Sequence, residues 1–257
     1  APLADAVVFG DGEPSLAALG EILAGRPTGD ELAAALCDAA LPGVWVPAGG
    51  GPPPPPARAS ARQLPARATT WSPLAELSEM YLVEAARGCA RGCGFCVLSG
   101  RSSSSGGFRP VCPEAILARI PPAAPCVGLV GAAVTDHPRI EEIVRRLVDG
   151  GRRVSLSSIR ADRLTAPLAA DLVRGGLRTL TLAADGASER LRRRLHKGLT
   201  AKDLARAADL GVAAGLRRLK LYAMVGLPGE EDDDVRELAD LVRALPRSLA
   251  VTLAVQA

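Results

Sequence analysis

From residue 73 to the end of the chain, short apolar runs alternate with longer amphipathic stretches, and this alternation restricts the fold more than any other feature. Strand-like runs fall at 81–83, 127–130, 154–157, 179–182, 219–225 and 249–255. Helical patterns fall between them at 113–120, 139–149, 166–174, 188–214 with a break near Gly198, and 231–244. Parallel strands need a crossover element and bury both faces, so six strands alternating with five helices predict an α/β domain with a parallel sheet and helices on its outer side. Right-handed crossovers curl such a sheet into a partial (β/α)6, TIM-like barrel whose working rim is formed by the strand C-terminal ends and the loops after them.

The preceding residues read differently. ADAVVFG is a strand-like run, DGEPSLAALGEILAG a helix with Leu16, Leu19, Ile22 and Leu23 on one stripe, and 30–40 a second helix leading into LPGVWVPAGG. Residues 49–74 carry no apolar periodicity, and the proline run from Pro52 to Pro56 favours an extended polyproline segment, so they read as a linker. Arg58, Arg62 and Arg67 within it read as solvated charges rather than phosphate contacts. The expected organisation is a small α/β domain over 1–48, a linker over 49–74 and the barrel over 75–257. The chain starts APLADAVVFG without a methionine and stops after LAVTLAVQA, so it reads as a piece of something longer, with the barrel cut after its sixth strand.

Hydrophobic residues make up 48% of the 257 and charged residues 23%, with no apolar run of membrane-spanning length. A net charge of +3 gives no field that argues for nucleic acid or an anionic membrane. Six cysteines without a signal peptide point to thiols in a reducing compartment, and a cytoplasmic location is expected.

Three of those cysteines, Cys89, Cys93 and Cys96, follow the pattern C-x3-C-x2-C on a loop that also holds Gly88, Gly92 and Gly94. The loop directly follows the first barrel strand, which places it on the rim. Structural zinc takes four closed ligands and most iron–sulfur clusters take four thiolates; three thiolates leave one iron of a [4Fe-4S] cube open to another ligand. The alternative, a zinc site, needs Cys112 or Cys126 as fourth ligand. Cys112 lies across SGRSSSSGGFRP, Cys126 opens an apolar run, and neither has paired C-x2-C spacing. Cys37, Cys112 and Cys126 read as small core or edge residues. His137 and His196 lack a partner at ligand spacing and read as surface or capping residues.

Cys89, Cys93, Phe95 and Cys96, just after a barrel's first strand, resemble the signature loop of radical S-adenosylmethionine (SAM) enzymes, and the resemblance extends from Met80 to the C-terminus. It implies a [4Fe-4S] cluster on the three cysteines, with SAM on the open iron and Phe95 packed near the adenine. It also implies SAM contacts after successive strands. Gly131 and Ala132 occupy the place of the turn that takes the amino group, although the frequent Gly-Gly-Glu form is absent. Ser157 and Arg160 end strand three, where an arginine reaches the SAM carboxylate; a plain pair with Asp162 is the competing reading. Asp185, Ser188 and Glu189 resemble the Gly-Ser-Glu turn, but SERL at a helix start is equally an N-cap. Gly226 and Pro228 belong to GLPGE, similar to the G-x-P-G-E turn against adenine, while the acidic run from Glu230 to Asp234 reads as favourable charge at a helix N-terminus.

The first 48 residues resemble the end of the Rossmann-like cobalamin-binding domain that precedes many radical SAM barrels. The D-x-H-x-x-G loop of that domain is missing and Asp136-His137 does not fit it, so cobalamin is an expectation for a longer chain. The resemblance implies an enzyme that cleaves SAM reductively to begin radical chemistry on an unknown substrate, with methyl transfer from methylcobalamin in that branch and an electron donor such as flavodoxin or ferredoxin. No catalytic residue is singled out. Two other readings are an RNA-modifying methylthiotransferase, which should carry further cluster cysteines upstream and an RNA-binding domain downstream, and a non-catalytic zinc-stabilised binding module.

Overall fold

The computed structural model describes residues 4–70, 72, 74–77, 79–98 and 107–257. The proposed boundary at Trp71 and Pro73 and most of the SGRSSSSGG loop lie outside the described residues. The chain divides into two compact units, the first ending at Leu64 and the second starting at Pro65.

In the first unit β1 (Val7–Val8), α1 (Glu13–Ala24), α2 (Gly29–Ala39) and β2 (Val44–Trp45) follow in order. β1 and β2 pair antiparallel, which differs from the parallel pairing of a Rossmann-like domain. The linker expectation also needs correction. Gly10 bridges Ala57 in parallel, Ala57 N donates to Phe9 O and Asp11 N to Ala57 O, and the Asp11 carboxylate accepts from Ala59 N at 2.7 Å. Ala57 and Ala59 are buried. A three-residue strand partner shows no periodicity in sequence, because its contribution is backbone hydrogen bonding rather than apolar pattern.

The second unit holds the predicted alternation. β3 (Met80–Glu84), β6 (Cys126–Val130) and β7 (Arg153–Leu156) form one parallel sheet; β8 (Leu180–Gly186), β9 (Arg218–Met224) and β10 (Ala250–Gln256) form another. The single six-stranded sheet expected from the sequence is therefore present as two parallel halves, with no hydrogen-bonded ladder between β7 and β8 among the described residues. A cavity of about 370 Å³ lies between those strands, lined by Ser155, Ser157 and Thr181 among others.

The helices follow from capping and apolar stripes. α4 (Ile140–Asp149) buries Ile140, Ile143, Val144 and Leu147, one face of a 3.6-residue repeat. α5 (Ala166–Arg174) starts at Thr165, whose hydroxyl accepts from Leu168 N. The predicted 188–214 helix is two, α6 (Glu189–Arg194) and α7 (Ala201–Ala213), separated where Gly198 takes a φ of 65° and Thr200 with Asp203 builds a capping box. α3 (Pro113–Ala118) and α8 (Asp232–Ala244) complete the set. In β3 and β9 alternate residues are buried, so Tyr81, Val83, Leu219, Leu221 and Ala223 join the core.

One feature has no signal in the alternation. β4 (Ala86–Arg87) pairs antiparallel with β5 (Arg109–Pro110), a short ribbon at the base of the segment that carries the three cysteines.

Candidate functional site

The cysteine segment leaves the sheet at its C-terminal edge. Ala85 N donates to Val130 O and Val111 N to Ala85 O, so the strand end, the next strand and the returning end of the loop are bonded together. Within the loop Arg91 N donates to Cys89 Sγ at 3.3 Å, Cys96 N to Cys93 O at 3.2 Å, and Gly94 N reaches Leu195 O at the end of α6 at 2.9 Å. Arg91 forms a two-pronged bond to Asp136, at 2.9 and 2.6 Å, and lies 3.4 Å from Asp162. Asp136 also accepts from Arg163. Burial works against the Asp136 carboxylate, but the Arg91 guanidinium bonded to it outweighs that and holds its pKa below the ordinary carboxylate value. The loop is thus fastened at its base by the ribbon, at its middle by an ion pair, and at Gly94 by the second half-sheet's helix.

All six cysteines are free thiols; Cys93 is buried, and Cys89 and Cys96 are partly exposed. Burial pushes the Cys93 thiol up, while the positive charges of Lys197 and Arg160 oppose the shift. Three thiols on one loop beside two cations suit an iron–sulfur donor set, since anionic sulfur needs both ligands and compensating charge. Among the described residues no three His, Cys, Asp or Glu side chains converge enough to surround a single ion. Cys126 cannot complete a zinc site, because it opens β6 beside Met80, four residue steps or about 13 Å along the strand from the loop end. The Cys112 thiol is exposed and donates to Glu114 at 2.7 Å.

The other predicted positions fall into two groups. Gly131, Ser157 and Ser158 meet: Ser157 Oγ accepts from Gly131 N and donates to Gly131 O, and Ser158 Oγ bonds the same carbonyl. A Cβ at Gly131 would stand 2.6 Å from Ala86 O, so the turn after β6 is drawn tight against the ribbon. Ala132, next to it, is exposed. Arg160 is buried and pairs with Asp162 at 2.9 Å, the competing reading, and also donates to Lys197 O. Asp185 sits at a φ of 61° beside an irregularity in β8 and pairs with Lys197 at 2.5 Å; a bulge re-aims a side chain in this way. Arg160, Asp185 and Lys197 all act on Cys93 electrostatically. Phe95 is 45% exposed on the loop.

The second group is engaged in structure. Ser188 caps α6 by accepting from Leu191 N, and is bonded to Asp234, whose carboxyl is held down to about 2 by Arg190 first and Ser188 second. Glu189 accepts from Ala201 N at the start of α7. Gly226 and Pro228 lie in a turn closed by Leu227 N to Glu230 and Glu230 N to Leu227 O, with Gly229 O accepting from Arg190. No hydrogen bond joins these residues to the cysteine loop among the described residues.

Sequence reasoning gave no place in the site to Arg91, Asp136, Lys197, His137 or Arg192. His137 caps the following turn, as one reading had it, but is buried: Nδ1 accepts from Arg139 N and Nε2 donates to Val111 O at 2.8 Å. Burial lowers its pKa. Arg192 is fully buried, donates to Leu199 O, Gly186 O and Ala187 O, and lies 3.7 Å from Glu237. The only advance signals were the place of Arg91 between two cysteines and the rarity of lysine, present at 197, 202 and 220 alone.

A model of the radical SAM superfamily matches residues 83–242. A protein of Methanocaldococcus jannaschii, described as uncharacterized protein MJ0966, is 33% identical over 174 residues, covering 66% of this chain and 38% of its own length. In fold, the chain resembles the radical SAM methyltransferase TsrM of Kitasatospora setae with tryptophan and a SAM analogue bound (TM-score 0.69, 16% identity, 97% of this chain, 51% of that one). TsrM with cobalamin and a [4Fe-4S] cluster bound gives a TM-score of 0.67 at 15% identity, covering 98% of this chain and 51% of that one. The cobalamin-dependent SAM radical enzyme OxsB, with aqua-cobalamin and SAM bound, gives 0.60 at 16% identity, covering 92% and 35%. The chain spans from about a third to a half of the length of these proteins.

Proposed function

The chain belongs to the radical SAM superfamily, and from that premise we propose that Cys89, Cys93 and Cys96 hold a [4Fe-4S] cluster whose open iron takes SAM. The observation that carries this reading is three free thiols on one loop, anchored by the β4–β5 ribbon and the Arg91–Asp136 pair at the C-terminal edge of a parallel half-sheet. When bound and reduced, such a cluster supplies the electron that splits SAM into methionine and a 5′-deoxyadenosyl radical.

The protein's own part is to bind, orient and shield. The Arg91–Asp136 pair keeps the thiols from spreading, and Lys197 and Arg160 bring positive charge to the Cys93 side, where a methionine carboxylate would also find partners. The Gly131–Ser157 turn would face the amino end of SAM, and exposed Phe95 its adenine. The bond between Ser188 and Asp234 and the bond from Ala201 N to Glu189 favour a framework role for these residues. An electron donor such as flavodoxin or ferredoxin would supply the reductant, in a cytoplasmic setting; among the described residues no helix is long and apolar enough to cross a membrane.

The finer reading is cobalamin-dependent methyl transfer by the whole protein. Its support is likeness of fold to TsrM and OxsB across both units, at identities that speak to fold alone. Anaerobically reconstituted chain incubated with SAM and dithionite should release methionine and 5′-deoxyadenosine, and a Cys96→Ser variant should release neither. Equal product from both proteins would contradict the proposal. A metal content of zinc alone would favour the binding module instead.

A further inference from the structure

The second half-sheet carries a cation that the cluster reading leaves unused. In β9 the buried residues Leu219, Leu221 and Ala223 alternate with Lys220, Tyr222 and Met224, so the latter three stand on the opposite face. Register sets Thr181 of β8 and Thr252 of β10 beside Lys220. The Lys220 ammonium lies 4.7 Å from the centroid of the Tyr222 ring, a cation–π arrangement. It has no carboxylate partner among the described residues, unlike Lys197, which is paired with Asp185.

An aromatic ring positions an ammonium without neutralising it, so Lys220 keeps a full charge that an anionic ligand can still use. Tyr222 and Thr181 also line the cavity of about 370 Å³ between the half-sheets, with Ser155 and Ser157 on its other wall. That volume lies within the range of about 300–1,000 Å³ typical of small-molecule sites. A surface lysine is ordinarily solvated and free; the ring beneath this one and the hydroxyl-lined cavity beside it are what set it apart. We propose that the inner face of β8–β10 binds the substrate through a carboxylate or phosphate group, with Lys220 as the anion anchor, Tyr222 holding it in place and the Thr181 and Ser155 hydroxyls donating to the same oxygens. The inference rests on the cluster reading above and adds to it the charge class of the substrate.

The scarcity of lysine makes the test clean. Reductive ¹³C-methylation labels Lys197, Lys202, Lys220 and the α-amino group while keeping their charge, and Lys220→Arg and Lys202→Arg variants assign the signals. Inorganic phosphate and acetate are titrated in separate arms against chloride at equal ionic strength. The Lys220 signal should move saturably and several-fold further than that of Lys202, in the phosphate arm, the acetate arm or both according to the group preferred. Tyr222→Leu should weaken the response several-fold. A Lys220 signal that moves no further than Lys202 in either arm, in a chain that takes up its full iron, overturns this inference and leaves the cluster reading standing. A wild-type chain that takes up no iron overturns the cluster reading instead.

Discussion

The two half-sheets share strand count and direction but differ at their edges and inner faces. In β3–β6–β7 the outer strand is covered: Ala68 N donates to Leu82 O, Glu84 N to Ala66 O, and Arg67 bridges Val83 antiparallel. Its inner face is filled, since a Cβ on Gly128 would lie 2.6 Å from Leu82 and 2.9 Å from the Met80 sulfur. In β8–β9–β10 the last strand is partly or fully exposed at every position, with Leu253 and Val255 in the open, and the inner face presents Thr181, Lys220 and Tyr222. One half is packed to hold a loop still. The other leaves room beside it, and on its helix side buried Arg192 ties together the carbonyls of Gly186, Ala187 and Leu199.

That contrast can be broken most forcefully at Arg192. Replacing it with Met removes a buried cation and leaves the carbonyls of Gly186, Ala187 and Leu199 without their donor; a loss of about 3 kcal/mol or more is expected in urea unfolding. A loss under about 1 kcal/mol would show that the second half does not depend on this staple. Next in size is Gly186→Ala, whose Cβ would meet backbone atoms of Arg192 and Leu191 at 2.8 and 2.9 Å. Backbone cannot give way as a side chain can, so this change should cost about 2 kcal/mol, and Gly128→Ala, which meets only the ends of Leu82 and Met80, about 1 kcal/mol. The reverse order would contradict the packing contrast.

Asp136→Asn tests how the first half fixes the loop. It should cost about 1.5 kcal/mol, the range of a hydrogen bond to a charged group, and hydrogen exchange should quicken across 86–98 while β8–β10 stays protected. Uniform exchange in both halves would refute a local role. The smallest effect is one of pH. His137 has its pKa lowered by burial, so the unfolded chain binds a proton that the folded one resists. Its contribution is complete above the unfolded value of about 6.5 and is lost as pH falls from there through the folded value. Melting temperature should therefore decline below neutrality, with a shallower decline in His137→Gln.

Much of this contrast could be read from residues in order, because burial on one side imposes a period. The alternation located all six long strands to within a few residues, and the cysteine loop announced itself by spacing. What escaped depends on pairs far apart in the chain or on backbone alone. Arg91 and Asp136 are 45 positions apart, and nothing in either neighbourhood marks them as partners. The 57–59 strand partner has only alanines to bury. The extension of β8 past residue 182 to Gly186 runs through Asp185 at positive φ, where a sequence reading ends the strand. The split between β7 and β8 is likewise invisible, since each strand keeps its own apolar side. Ser188 shows the limit from the other direction: a cap and a ligand contact share one sequence pattern, and the structure adds that the cap is formed, with bonds to Leu191 N and Asp234.

The central claim is that three thiolates of one anchored loop hold a four-iron cube. Anaerobic reconstitution with iron and sulfide, followed by metal and sulfide analysis, tests it directly. The account predicts about four irons and four sulfides per chain and their loss in Cys93→Ala; a complete cluster in that variant would contradict it.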